Sequence, residues 1–212
     1  MNRFGLTIAV PRGTLFAPSL DLLERIGIDP GPVRENDRRL LFEEIGVVTM
    51  RPSDVPTYVE AGAADVGITG KDVLQEAPDR QLFELLDLGF GECRMVVAGL
   101  SGEDRGAEAL RRLGVVRVAT KYPRTAADHF ARSGRQAEIV KVGGSVELAP
   151  LTGLADAIVD LTATGTTLEE NGLVVREEIF TATARLIANR VSLRVKASEV
   201  DGLVEAIRAA GG

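Results

Sequence analysis

Short apolar runs alternate with amphipathic segments along most of this chain, and that rhythm restricts the fold more than any single motif. "LTIAV" (6–10) has the continuous apolar character of a buried strand, and "APSLDLLERIG" (17–27) follows with helical spacing at Leu20, Leu23 and Ile26. "GVVTMR" (46–51) predicts a second strand, and the segment after it a helix opened by Ser53. "ADVGITG" (64–70), "KDVLQEA" (71–77), "LFELLDL" (82–88) and "CRMVVAG" (93–99) follow, the last two split by Gly89-Phe90-Gly91. The second half repeats the pattern: helix 103–113, strand 115–122, helix 124–133, strand 137–144, helix 146–153, strand 155–161. Residues 173–195 alternate like long strands, and a last helix spans roughly 198–209.

Strands alternating with helices predict an α/β fold with mostly parallel sheet. The glycines flanking Phe90 and the region near Glu177 are candidate breaks. They divide the chain into a first lobe, 1–90 with 180–212, and an inserted second lobe, 91–179.

Composition narrows the chemistry. A formal net charge of −6 argues against a general nucleic-acid-binding surface. One cysteine, Cys93, leaves neither an internal disulfide nor a cysteine-cluster metal site, and one histidine removes sites built on several imidazoles. His129 itself lies on a polar helix face and reads as solvated rather than catalytic. No apolar run approaches the ~18 residues of a membrane span. The N-terminal apolar run is stopped by Pro11, too short for a signal peptide, so the expected compartment is the cytoplasm.

The most suggestive local feature is "VDLTATGTTLEENG" (159–172). Between a strand and a helix, successive backbone N–H groups point out of the turn, and a helix start adds positive potential. Gly165 permits close backbone approach, and Thr162, Thr164, Thr166 and Thr167 add hydroxyls, so the turn suits a phosphate monoester. The alternative is an ordinary turn in which Thr164 or Thr166 caps the helix. Asp160, at the end of the apolar strand, stands where open α/β sheets place ligands, and its carboxylate suits ribose hydroxyls. No lysine completes a Walker A motif, and "GFGECR" lacks the third glycine of a dinucleotide fingerprint.

Several longer strings resemble ATP phosphoribosyltransferase: "MRPSDVPTYVEAGAADVGITGKDVL" (50–74), "LLDLGFGECRMVVAG" (85–99), "RVATKYPR" (117–124), "GSVELAPLTGLADAIVDLTATGTTLEENGLV" (144–174) and "ARLIANRVSL" (184–193). The resemblance implies two lobes of periplasmic-binding-protein type II architecture joined by a two-crossover hinge. It implies transfer of the 5-phosphoribosyl group of PRPP (5-phosphoribosyl-1-pyrophosphate) to N1 of ATP, releasing pyrophosphate, with Mg²⁺ carried by the substrate. At 212 residues the chain is similar to the short form of the family, which works with a histidyl-tRNA-synthetase-like regulatory subunit. The expected assembly is a hetero-oligomer containing a homodimer of the catalytic chain, without a histidine-binding domain of its own. One departure stands out: the family's first strand usually ends in Pro-Lys-Gly-Arg, and here Pro11-Arg12-Gly13-Thr14 replaces it.

Displacement at an anomeric carbon needs stabilisation of the leaving pyrophosphate and of positive charge on the ribose. Under the resemblance, Arg12, Arg51 and Lys71 are the candidates for pyrophosphate, each with a solvated surface cation as its alternative. Glu147, Asp160 and the loop Thr162, Ala163, Thr164, Gly165, Thr166 and Thr167 are the candidates for ribose 5-phosphate. Arg94, Lys121 and Tyr122 are the candidates for ATP. Two rivals remain at this point: a two-lobed anion sensor without chemistry, and a base-salvage phosphoribosyltransferase. Leu161, standing where the latter has a second acid, disfavours it.

Overall fold

The computed structural model describes residues 1–36 and 38–211; Asp37 and Gly212, the last residue of the expected first lobe, lie outside it. The chain forms two compact units, Met1–Gly91 with Thr183–Gly212, and Glu92–Ala182. The sequence suggested breaks after 90 and after 179. The second crossing instead follows the end of an unbroken strand, Leu173–Ala182, and Glu177 lies inside that strand.

Among the described residues the strands are β1 (Ile8–Pro11), β2 (Leu41–Phe42), β3 (Val47–Met50), β4 (Val66–Gly70), β5 (Leu82–Asp87), β6 (Cys93–Leu100), β7 (Val115–Thr120), β8 (Gln136–Lys141), β9 (Ala157–Thr162), β10 (Leu173–Ala182) and β11 (Ala184–Asn189). The first unit holds a sheet ordered β2-β3-β1-β4-β11-β5. Its centre, β3-β1-β4, is parallel; β11 runs antiparallel to both β4 and β5.

Strand alternation sorts the side chains between two cores. Ile8, Val10, Leu186 and Ala188 face one core, covered by the helices Phe16–Arg25 and Ala197–Ala209. Ala9 and Ile187 face the other, where Val55 and Val59 of the helix Val55–Glu60 pack. That helix lies so close to β4 that a Cβ on Gly67 would stand 2.7 Å from Val55 Cγ1. A side chain at position 67 therefore requires the Val55 and Val59 side chains, or the helix that carries them, to shift.

The second unit holds a sheet ordered β10-β6-β9-β7-β8, in which β9, β7 and β8 are parallel. Met95, Val97, Val118 and Val159 face the helices Arg105–Leu113 and Pro123–Arg132. Val96, Ala98 and Ile158 face the opposite core, with Ala149 and Leu168. Buried on both faces, β6 and β9 carry the apolar runs Met95–Ala98 and Ala157–Val159.

Two local expectations are corrected. Ser53 is not a helix cap: its hydroxyl bonds Asp54 Oδ1, and the helix starts at Val55. Residues 173–195 are not strand throughout, because β11 ends at Asn189 and a short helix, Ser192–Val195, follows. Asn189 makes that corner, donating to Val59 O and accepting from the N–H groups of Val191 and Ser192. Residues 31–45, which carry no period in the sequence, form a short helix, β2 and a 3₁₀ turn.

Candidate active site

In the first unit, three parallel strands end in cations. β1 ends at Pro11, β3 at Met50 and β4 at Gly70, and the next residues are Arg12, Arg51 and Lys71. Pro11 and Met50 stand in register, and Arg12 N–H donates to Met50 O at 2.8 Å. The carboxyl edge of a parallel sheet is where open α/β folds place ligands. Arg12 is braced there: its Nε donates to Thr49 Oγ1 at 3.1 Å, its Nη2 to Arg39 O at 3.0 Å, and its guanidinium sits over the Phe16 ring. Arg51 is exposed, with no partner for its side chain among the described residues. Lys71 is tied by its Nζ to Glu84 Oε2 at 2.6 Å. Thr14, where the family's usual second cation is missing, is exposed.

The second unit repeats the arrangement with different chemistry. β9 ends at Thr162 and leads into the loop, and its parallel neighbour β7 ends at Thr120 and leads into Lys121 and Tyr122. Arg94, on antiparallel β6, is level with Thr162 at the same edge, and its Nη1 lies 3.4 Å from Glu178 Oε2. Glu147 is half-buried and occupies the N-cap position of the helix Leu148–Thr152. Tyr122 is packed against the core, with its N–H on Thr120 Oγ1 at 2.8 Å.

Asp160 is buried, at 7% exposure, within reach of Lys121 Nζ at 3.9 Å. Burial, with the negative charge of Glu147 adding to it, pushes its carboxyl above the usual range; Lys121 and the Leu161 N–H oppose the shift. A carboxylate so placed is held in a partly desolvated setting, where hydrogen bonds to a ligand hydroxyl count for more than in water.

The loop itself is ordered by its own hydroxyls. Gly165 adopts φ +87°, a left-handed conformation that glycine alone takes without strain. Its N–H donates to Thr162 Oγ1 at 2.9 Å, so Thr162 shapes the turn from within. Neither Thr164 nor Thr166 is the N-cap residue: the helix Thr166–Glu170 starts after Gly165, although Thr164 Oγ1 accepts the Thr166 N–H at 3.4 Å. The Thr164 and Thr166 hydroxyls lie 2.9 Å apart and are exposed, with Ala163 and Thr167 beside them in the open part of the loop.

Sequence reasoning missed other charged groups. His129 is not solvated: its Nε2 lies 3.0 Å from Glu177 Oε2 and 3.1 Å from Arg135 Nη2. Arg135, and secondarily His129, hold the Glu177 carboxyl below the usual range against the effect of burial. Glu84 pairs with both Lys71 and Arg185, and Arg185 pairs in turn with Asp87. Nothing in their spacing announces these clusters; of the missed groups only Asp87 and Arg185 fell within strings of family character.

An α/β chain with cations at the carboxyl ends of parallel strands in one sheet, and a buried aspartate with a threonine-glycine loop at those of another, is of the class suited to phosphorylated, polyanionic ligands. The sequence model of the ATP phosphoribosyltransferase family, HisG, matches residues 51–209. An ATP phosphoribosyltransferase of Rubrobacter xylanophilus is 53% identical over 208 residues, covering 96% of this chain and 95% of that protein. The Thiobacillus denitrificans relative of the same name is 44% identical, covering 99% of both chains. A solved structure, the ATP phosphoribosyl transferase (HisG:HisZ) complex from Thermotoga maritima, aligns with TM-score 0.80, 34% identity and 96% coverage of both chains. The periplasmic VFT2 domain of Bordetella pertussis BvgS shares the fold at TM-score 0.62 and 17% identity, covering 97% of this chain and 87% of that one.

The chain belongs to the ATP phosphoribosyltransferase family. It is a transferase that joins the 5-phosphoribosyl group of PRPP to N1 of ATP with release of pyrophosphate, the first step of L-histidine biosynthesis. Among the described residues no helix is long and apolar enough to cross a membrane.

Proposed function

We propose a division of labour for this reaction between the two sets of strand-end residues. The loop from Thr162 to Thr167, including Ala163, Thr164, Gly165 and Thr166, holds the 5-phosphate of PRPP, and Asp160 and Glu147 take the ribose hydroxyls. Arg12, Arg51 and Lys71 meet the pyrophosphate. Arg94, Lys121 and Tyr122 meet ATP. The observation that supports this reading is the run from buried Asp160 through Thr162 to Gly165 at φ +87°: a buried carboxylate five residues before a glycine turn ringed by hydroxyls.

The chemistry asks for no strong base, because adenine N1 already has a lone pair. Charge moves from the anomeric carbon to the departing pyrophosphate, so fixed cations at the pyrophosphate stabilise the transition state more than the ground state. Gripping the remote 5-phosphate supplies binding energy that orients C1′ toward N1. The buried Asp160 carboxylate, at the other end of the ribose, favours positive charge developing on the sugar.

Mg²⁺ fits this donor set as an ion carried by the substrate. Among the described residues no three His, Cys, Asp or Glu side chains gather into a cage, and Mg²⁺ keeps most of its waters while binding through phosphates and one or two carboxylates. When bound, it would neutralise charge on the pyrophosphate.

We further propose that the chain acts as a short-form catalytic subunit in the cytoplasm, where ATP and PRPP are made. Its partner would be a histidyl-tRNA-synthetase-like regulatory subunit, in a hetero-oligomer containing a homodimer of this chain. The HisG:HisZ title of the Thermotoga maritima relative supports that partnership. Mixing the chain with PRPP, ATP and Mg²⁺, with and without such a subunit, and following pyrophosphate release tests the reading. Release requiring all three, abolished by chelation, is expected; release from PRPP with ATP omitted contradicts it.

A further inference from the structure

Lys71 does not stand alone at its strand end. Its N–H donates to Thr183 O at 3.0 Å, and its Nζ reaches Glu84 Oε2 at 2.6 Å. The pair lines a groove of about 200 Å³, floored by Leu74, Leu82 and Ile187, so the ammonium borders open space. The other oxygen of Glu84 lies 3.0 Å from Nε of Arg185. This is an ion pair by proximity; the N–H does not point at the carboxylate and makes no hydrogen bond there.

Arg185 is fixed from the far side. On β11 it stands opposite Asp87 of β5, and its Nη1 pairs with Asp87 Oδ2. Asp87 Oδ1 in turn accepts the Thr183 hydroxyl at 2.7 Å and the Gly89 N–H at 3.0 Å. Lys71, Glu84, Arg185 and Asp87 thus form a row of alternating charge in which Arg185, with its side chain 13% exposed, is the most buried ion.

The alternation has a consequence for Lys71. If Lys71 were the sole counter-ion of Glu84, moving the ammonium to a ligand would leave a half-buried carboxylate uncompensated, which is costly. Because Arg185 holds the second oxygen, Glu84 keeps a counter-charge when Lys71 leaves. We propose that Arg185 is a positioning residue for phosphoribosyl transfer: by sharing Glu84, it lets Lys71 exchange that carboxylate for the pyrophosphate group of the substrate. The inference rests on the reading that Lys71 meets pyrophosphate.

Calorimetric titration of inorganic pyrophosphate with Mg²⁺ into the purified chain tests both levels. Lys71→Met and Arg185→Met are each expected to weaken binding about tenfold, the first by removing the cation and the second by leaving Glu84 dependent on it. Glu84→Gln is expected to tighten binding several-fold, since Lys71 is then unpaired. The double variant Arg185→Met with Glu84→Gln is expected to match Glu84→Gln alone, a rescue that a merely structural arginine would not show. Unchanged binding in Lys71→Met overturns the ligand assignment and the proposal with it. Loss in Lys71→Met without loss in Arg185→Met, or a double variant that binds no more tightly than Arg185→Met, overturns the role of Arg185 alone. Should Arg185→Met fail to fold, Glu84→Gln decides: tighter binding supports the exchange, and unchanged or weaker binding overturns it.

Discussion

Lys121 Nζ lies 3.9 Å from Asp160 Oδ1, bringing a half-exposed cation from the end of one parallel strand to a buried carboxylate near the end of the next. The two strands are neighbours, so the pairing follows from sheet order. Burial raises the Asp160 carboxyl and Lys121 opposes the rise. Lys121→Met should therefore move the acidic limb of the pH–rate profile to higher pH, because the ionised carboxylate serves the ribose. A profile of kcat/KM for PRPP against pH checks this; an unmoved limb contradicts it.

The same carboxylate carries a stability cost with a defined sign. A carboxyl raised by folding binds its proton more tightly in the native state, so stability falls as pH rises through the raised range. Below the ordinary carboxylate range both states are protonated and the cost vanishes. Asp160→Asn, which keeps an oxygen for the Leu161 N–H, is expected to raise the melting temperature at pH 8 but not at pH 3, while turnover drops. Thermal unfolding at the two pH values reads this directly.

Asp65 shows the opposite sign. Burial alone would raise its carboxyl, but hydrogen bonds from Lys196 Nζ, the Thr7 N–H and the Ser192 hydroxyl outweigh it and hold it low. Its stabilisation is present above the ordinary carboxylate range and is lost as pH falls through the lowered one. Asp65→Ala should cost about 2 kcal/mol at pH 7, from three hydrogen bonds left without their acceptor, and much less at low pH. Urea titrations at both pH values are the check.

Gly67 tests the packing of the first unit apart from its chemistry. A Cβ there would stand 2.7 Å from Val55 Cγ1 and 2.8 Å from Val59 Cγ2. Gly67→Ala should destabilise the chain by about 2 kcal/mol, as overpacked cores do. Adding Val55→Ala should recover part of that loss if the clash is the cause.

Much of the fold was legible because the central strands are buried on both faces. "LTIAV" and "ADAIVDL" stand out as apolar runs for that reason, and β1 and β9 follow from them. β2 was not legible, because two residues carry no period and its pairing with β3 is tertiary. At the candidate site, Asp160 and the loop are contiguous in sequence and could be read together. That Arg12, Arg51 and Lys71 follow neighbouring strands could not, because register is absent from a sequence. Arg185 and Glu84 are about a hundred residues apart, and β11 joins them only by inserting between β4 and β5. Thr162 looked like one more loop hydroxyl, yet its partner is the Gly165 N–H inside the turn.

Arg51, exposed and with no side-chain partner among the described residues, is available to a ligand. If it serves the leaving group, Arg51→Ala should lower kcat by about 10²–10³, as loss of a transition-state donor does, with smaller changes in KM. Steady-state kinetics in both substrates separate the cases; a change confined to KM makes Arg51 a binding residue only.

The assignment of the threonine loop to the 5-phosphate is tested most directly by PRPP affinity in a Thr164→Val, Thr166→Val double variant. Both hydroxyls are exposed and bond to each other, so the exchange removes phosphate donors and one long contact from the Thr166 N–H while leaving the core and the Thr162–Gly165 hydrogen bond in place. Calorimetric titration of Mg²⁺–PRPP should show affinity reduced by roughly tenfold or more, as expected for loss of charge-assisted hydrogen bonds, with ATP affinity unchanged. PRPP affinity equal to that of the unaltered chain would contradict the assignment.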